Sequence, residues 1–164
     1  PPSVPELTTA RCILTEVTED DIPALKSIFT DATTQRFLPD LCEIAKTNEG
    51  IRNILQSFRL YLKKKEGVLW GIRHRGELIG FVATMDLSFN PTIFFAMHHE
   101  YRNQGMMIES VQIATQYIIE SNFCTELYSE VNVDNIASQR VLVTCGYRFC
   151  KEYAGKRIYK TYFN

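Results

Sequence analysis

Residues 92–107, TIFFAMHHEYRNQGMM, decide how the rest of the chain is read. From Thr92 to His98 the run is apolar with β-branched and aromatic residues, the composition of a buried strand. From Met106 to Ser121 the period changes. Met107, Val111, Ala114 and Ile118 recur at helical spacing, while Glu109, Gln112, Gln116 and Glu120 fall largely off that stripe. A short polar segment is all that separates the two, so a strand turns almost directly into a helix start. Such a start leaves four backbone N–H groups without intrahelical partners, at the positive end of the helix dipole. Gly105 has no side chain to hold an anion away from them, and Arg102 adds charge at the rim. The plainer alternative is a glycine that only makes a turn, since the spacing fits neither the P-loop nor the dinucleotide fingerprint.

Working outward toward the N-terminus, residues 68–73 and 77–87 read as strands of a hairpin around His74-Arg75-Gly76. Residues 48–65 place Ile51, Ile54, Leu55, Phe58 and Leu62 at helical spacing. They end in Lys63-Lys64-Lys65, a solvated helix end in preference to a nucleic-acid patch. A loop with Phe37-Leu38-Pro39-Asp40 precedes them. Before it, the acidic run Glu19-Asp20-Asp21 and Pro23 start a first helix, and residues 11–17 form a strand. Toward the C-terminus the order is a strand at 126–133, then a helix at 135–145 closed by Gly146. Two last strands, 147–153 and 156–162, flank Ala154-Gly155. The sum is β-α-α-β-β-β-α-β-α-β-β. It has too many hairpins for a doubly wound sheet and too many helices for a sandwich. An α/β fold with a mixed sheet and helices on both faces is expected.

The chain has 164 residues, enough for one domain, taken as 1–164 with 1–10 an extended N-terminal segment. Hydrophobic residues make up 45% and charged residues 23%, with a net charge of -1. That balance is globular and gives no overall pull toward nucleic acid or anionic lipid. No apolar stretch reaches the ~20 residues needed to cross a bilayer. The five cysteines are odd in number and none are at C-x-x-C spacing, so neither a disulfide framework nor a metal site is expected. Reduced thiols suit the cytoplasm. The opening residues carry no charged n-region or apolar core, and with no initiating Met upstream targeting stays open.

A second polar cluster, Asn132, Asp134, Asn135, Ser138 and Gln139, falls where the later strand ends and the next helix begins. Ligands of open α/β sheets sit beyond the carboxyl ends of strands, and both clusters lie at such ends. Helix capping by Asp134 or Asn135 accounts for part of this one.

Together these segments resemble the two cofactor motifs of the GNAT superfamily of acyl-CoA-dependent N-acyltransferases. The family's Q/R-x-x-G-x-G/A reads here Arg102-x-x-Gly105-x-Met107, with Glu109 following. The second motif reads Asp134-Asn135-Ile136-Ala137-Ser138-Gln139-Arg140-Val141-Leu142, then Cys145-Gly146-Tyr147. That form, with Leu7-Thr8-Thr9-Ala10-Arg11-Cys12-Ile13-Leu14, is similar to the branch that acetylates ribosomal-protein N-termini. The resemblance implies a GNAT fold with a mostly antiparallel six- to seven-stranded sheet. It implies an N-acetyltransferase that binds acetyl-CoA and moves the acetyl group directly to a primary amine. Phe95, Ala96 and Met97 would lie on a strand splayed from its neighbour, pairing with the pantetheine. Arg102, Gln104, Gly105, Met106 and Met107 would hold the pyrophosphate. Asn135 would bond the pantetheine, and Ser138, at i+3 on the same helix face, would protonate the departing thiolate.

The sequence departs from the family at two positions. Met107 replaces a small residue, which shifts the cofactor's pose. Leu142 stands where other branches carry a tyrosine acid. An amine protonated at pH 7 also needs a base. The family's early strand Glu is absent, residues 90–93 being Asn-Pro-Thr-Ile. Glu130 acting through water is the candidate taken, against a structural sheet carboxylate; His98 and His99 remain alternatives. Cys145 is read as packing, because direct transfer needs no acyl-cysteine. The competing function is a non-catalytic CoA-binding or regulatory module on the same fold, and RNA or ribosome contact is a third. The acceptor stays open among peptide N-termini, polyamines, amino acids and aminoglycosides, and the protein is read as a monomer or homodimer. Phe37, Phe58, Trp70, Tyr153 and Tyr159 line the acceptor pocket or fill the core, with core expected for most.

Overall fold

The structure is a computed structural model and describes residues 2–161; the expected strand end at Tyr162 lies outside the described residues. The first half contains β1 (Leu7–Thr8), β2 (Ile13–Thr15), α1 (Ile22–Phe29), α2 (Ala32–Phe37), α3 (Pro39–Ile44) and α4 (Asn48–Lys63). It continues through β3 (Val68–His74), β4 (Glu77–Met85), β5 (Thr92–Met97) and α5 (Met106–Glu120). The chain then forms β6 (Tyr128–Asn132), α6 (Ile136–Thr144), β7 (Arg148–Tyr153) and β8 (Lys156–Lys160). One sheet runs β1-β2-β3-β4-β5-β6-β8-β7. Every pairing is antiparallel except β5 with β6. Among the described residues the sheet has eight strands where six to seven were expected. The addition is β1, whose two residues pair with Ile13 and Leu14 and are too few to show an alternation.

Two hydrophobic clusters lie on opposite faces of the sheet. Leu14, Trp70, Ile72, Val82, Ile93 and Met97 pack under α5 and α6. On the other face Val17, Phe81 and Ala83 pack under α1 to α4. The stripe read from α5 is buried as expected, with Val111, Ala114 and Ile118 at 0% exposure. Gly146 closes α6 at φ +91, with the paired end bonds Gly146 N to Val143 O and Tyr147 N to Leu142 O. The helix predicted to end at Lys65 ends at Lys63. Lys65 takes a left-handed φ of 59°, and all three lysines are exposed around this turn. Among the described residues no helix is long and apolar enough to cross a membrane.

The segment predicted as a loop around Phe37-Leu38-Pro39-Asp40 is instead two short helices, α2 and α3. Asp31 caps α2 by accepting from Thr34 N at 3.1 Å, and Pro39 occupies the first turn of α3. Six-residue helices are too short for an apolar period to reveal them.

Asp31 does more than cap. Arg102, beyond the end of β5, donates Nη2 to Asp31 Oδ2 at 2.6 Å and Nε to Met97 O at 3.0 Å. One guanidinium therefore ties β5, the turn before α5 and the start of α2. Burial raises the Asp31 pKa, but the bonds from Arg102 and Thr34 outweigh it and hold the carboxyl below its ordinary value of 3.8. A group depressed in the folded state contributes stability above its unfolded pKa and loses it as pH falls through the folded value. Asp31→Asn is expected to cost about 1–3 kcal/mol at pH 7. In thermal unfolding, the gap between variant and wild type should narrow below about pH 4. A gap that stays constant down to pH 3 would show that the charge on Asp31 is not what holds α2.

Candidate active site

The site begins where the sheet stops being continuous. Parallel strands β5 and β6 share a single paired position, Thr92 with Tyr128, where Tyr128 N donates to Pro91 O at 2.8 Å. The next rung does not form. Ser129 Oγ instead donates to Ile93 O at 2.9 Å, satisfying the carbonyl that would have extended the ladder. Beyond that point β6 follows β8, to which it is paired from Tyr128 to Asn132, and leaves β5 open.

Strand alternation sets what faces the opening. His98 N donates to Ile79 O on β4, so Ala96 and Phe94 also direct their backbone groups toward β4. Ile93, Phe95 and Met97 direct theirs the other way. Met97 O is taken by Arg102, which leaves the N–H and C=O of Phe95 facing the cleft. These are a donor and an acceptor on one extended residue, the pattern that pairs with an amide-bearing chain.

The opening widens into a cavity of about 360 Å³, within the range of small-molecule sites. Its wall takes in the residues that the family resemblance assigned to the cofactor, together with Glu130 and Ser138. Phe95, Ala96 and Met97 come from β5, and Arg102, Gln104, Gly105, Met106 and Met107 from the turn and first residues of α5. Glu130 comes from β6, and Asn135 and Ser138 from the start of α6. Gly105 is the N-cap of α5 at φ +82, a conformation that L side chains rarely adopt. A Cβ there would come within 3.0 Å of Arg11 Nη2. The helix start is thus an open cradle of N–H groups with a cation at its edge, which fits a diphosphate.

Individual side chains are placed as follows. Asn135 caps α6 by accepting from Ser138 N at 3.2 Å, so its amide NH₂ is the part left to donate. Ser138 is half-buried, and its hydroxyl has no protein partner among the described residues. Leu142 is fully buried in the core. Arg102 reaches the wall, but its guanidinium is already engaged by Asp31 and Met97 O. Glu130 is exposed, with Lys156 Nζ at 4.0 Å. Alternation puts Glu130 on the face of α1 to α4, while its neighbour Val131 packs under α5 and α6. Glu130 and Ser138 therefore address the slot from opposite faces of the sheet.

His98 and His99 are not on the cavity wall. His98 Nδ1 accepts from Glu100 N at 3.2 Å, and the two rings stack at 4.4 Å. Cys145 is also off the wall, and burial pushes its thiol up to about 12, so it holds no thiolate at neutral pH. Of the aromatic residues weighed for the acceptor pocket, Phe58, Trp70 and Tyr159 are core, Phe37 lines the cavity and Tyr153 is 51% exposed. Sequence reasoning named Phe37 but missed Thr33, Thr34 and Leu38 beside it on the wall, because it read α2 as loop. Their one signal was the capping pattern from Asp31 to Thr34. It also missed the ion pair of Arg36 with Asp134 at 3.0 Å, which spans from α2 to the turn before α6.

Comparison with known proteins agrees with this geometry. Residues 11–148 match the acetyltransferase (GNAT) domain. YoaA of Bacillus subtilis (strain 168), described as an uncharacterised N-acetyltransferase, is 27% identical over 149 residues, covering 88% of this chain and 83% of that protein. The fold is similar to that of RimL, a ribosomal L7/L12 alpha-N-protein acetyltransferase solved with coenzyme A. The TM-score is 0.85 at 18% identity, covering 96% of this chain and 98% of that one. It is also similar to Mycobacterium smegmatis RimJ in complex with a CoA disulfide, with TM-score 0.77 at 14% identity over 98% and 87% of the two chains. With a split sheet, a glycine-capped helix start and a domain match that spans most of its length, the chain belongs to the GNAT acetyltransferase family.

Proposed function

We propose that this acetyltransferase, a single domain over the whole chain, acts on the α-amine of a peptide or on a small primary amine. The observation that carries the reading is the slot beside Phe95, open to both faces of the sheet. Acetyl-CoA supplies an activated acetyl thioester. Phe95 N–H and C=O and the Asn135 amide hold the extended part of the donor, and the start of α5 with Gly105 receives its phosphates. The acetyl carbon then lies in the slot, with Ser138 on the side of α6 and Glu130 on the side of α1 to α4.

The amine enters from the Glu130 side. Glu130 is the one carboxylate among the described residues of the cavity wall, and it takes the amine's proton through water. At pH 7 about 10% of an α-amine with pKa ~8 is already neutral, against about 0.04% of a lysine side chain at ~10.4. A half-solvated carboxylate is a modest base, so it suits the α-amine and leaves the lysine side chain a poor acceptor. Ser138 passes a proton to the departing thiolate while its own hydroxyl is reprotonated by solvent water. A thiol with a pKa near ~8.5 leaves readily on its own, so this assistance is small. Placement in the cytoplasm is supported by five cysteines that all remain free thiols.

A panel of amines assayed by thiol release from acetyl-CoA tests the reading. Peptide α-amines should outpace blocked peptides carrying only a lysine amine, most strongly near pH 7. Amine-independent hydrolysis alone would instead mark a CoA-binding module. Glu130→Gln should lower kcat by about 100-fold with little change in acetyl-CoA affinity. Ser138→Ala should lower kcat by only about tenfold. A Glu130→Gln enzyme within twofold of wild type would remove Glu130 from the chemistry.

Gly105→Val should weaken acetyl-CoA binding by at least about tenfold, because it fills the cradle, besides forcing a left-handed backbone that costs about 1–2 kcal/mol. Gly146→Ala is the control. It carries the same kind of strain in open space and should lower the melting temperature without changing affinity. Equal affinity losses in both variants would show that Gly105 matters only for stability.

A further inference from the structure

The family motif places a cation, Arg102, beside the helix start that receives the diphosphate, yet the structure spends it elsewhere. Its Nη2 bonds Asp31 Oδ2 at 2.6 Å and approaches Thr34 Oγ1 at 3.4 Å, and its Nε bonds Met97 O. Its charge is neutralised by a carboxylate held ionised at its side. A different arginine stands at the cradle. Arg11 lies in the turn between β1 and β2, far from the motif in sequence. Its Nε bonds Glu109 Oε2 at 2.6 Å, and its backbone N donates to Glu109 Oε1 at 3.1 Å. Thr9 Oγ1 donates to the same Glu109 oxygen at 2.8 Å. These bonds fix the guanidinium from one edge. The other edge reaches the N-cap of α5, where Nη2 lies 3.0 Å from the position a Gly105 Cβ would occupy. Neither Nη has a protein partner among the described residues, and the side chain is 44% exposed.

A cation beside a helix N-terminus is opposed by the helix dipole. Glu109, in the first turn of α5, offsets that repulsion and keeps the guanidinium in place. The arrangement therefore presents two free N–H-bearing nitrogens and a positive potential over unpaired helix N–H groups, and an anion completes it. We propose that Arg11 is the side-chain contact for the diphosphate of acetyl-CoA, and that Arg102 is a positioning residue for α2 and β5. This assignment rests on the acetyl-CoA-dependent reading above. It gives the β1–β2 turn a part in cofactor binding beyond closing the sheet edge.

Calorimetric titration separates this from a purely structural strap. Arg11→Gln should weaken acetyl-CoA binding by about 10- to 100-fold, the range for a lost hydrogen bond to a charged group. The same factor should appear with 3′-dephospho acetyl-CoA. It should vanish with S-acetylpantetheine, which lacks the diphosphate. The affinity of wild type should fall with added NaCl more steeply than that of Arg11→Gln. Should Arg11→Gln fold poorly, Arg11→Lys keeps the charge, and its residual loss should likewise vanish with S-acetylpantetheine. Arg11→Gln affinity for acetyl-CoA within twofold of wild type would overturn the proposal. So would an equal loss with S-acetylpantetheine, or a loss confined to ligands bearing the 3′-phosphate. Wild-type protein that binds no acetyl-CoA would overturn the cofactor reading itself, a result distinct from these.

Discussion

The bond from Ser129 Oγ to Ile93 O is the constraint on which the rest of the site depends. A parallel ladder that has begun at Thr92 and Tyr128 would ordinarily run on, since each buried backbone group needs a partner. Here a buried hydroxyl takes the next carbonyl, and β6 is free to follow β8. The net contribution of such a bond is about 1 kcal/mol, small beside the packing of the sheet. Its effect is geometric. It ends the pairing at one residue and leaves Phe95 with a donor and an acceptor that the protein does not use. A sheet otherwise covered by helices on both faces thereby acquires one slot through it.

The other polar contacts hold the walls of that slot at their positions. Arg102 and Asp31 fix α2 to the end of β5, and the side-chain exposures of 27% and 15% keep this pair from full solvent screening. Arg36 and Asp134 span the rim on the other side, each side chain 62% exposed. That pair contributes roughly 0–1 kcal/mol and yields easily to salt or to an entering ligand. The cleft is thus firmly tied at the end of β5 and loosely tied at the turn before α6. Gln139 braces the base of the cleft, donating to Asn132 O and Val133 O while it accepts from Tyr159 OH. The turn that presents Asn135 and Ser138 is in this way held to β8.

Much of this was legible in the sequence where the physics is local. The α5 stripe, the Gly146 end of α6 and the 74–76 hairpin follow from period and turn chemistry within a few residues. The wall residues from β5 to α6 were reached through the resemblance of both polar clusters, which sit at strand ends in the chain order, to the GNAT cofactor motifs. Other features depend on contacts that no window contains. Arg102 and Asp31 are 71 positions apart, so the ion pair that engages this guanidinium was not visible in the sequence. Arg11 and Glu109 are 98 positions apart. The split itself depends on β6 pairing with β8, and α2 is too short to declare a face. Length of element and sequence distance of partner, more than chemistry, decided what was missed.

Backbone hydrogen exchange at Phe95, followed residue by residue, tests the central claim most directly. With the slot open, the Phe95 amide should exchange readily while the Phe94 amide, bonded to β4, is protected. Saturating acetyl-CoA should slow Phe95 by at least about tenfold and leave Phe94 little changed. A Phe95 amide that is already protected without ligand, or that is unmoved by bound acetyl-CoA, would contradict the account.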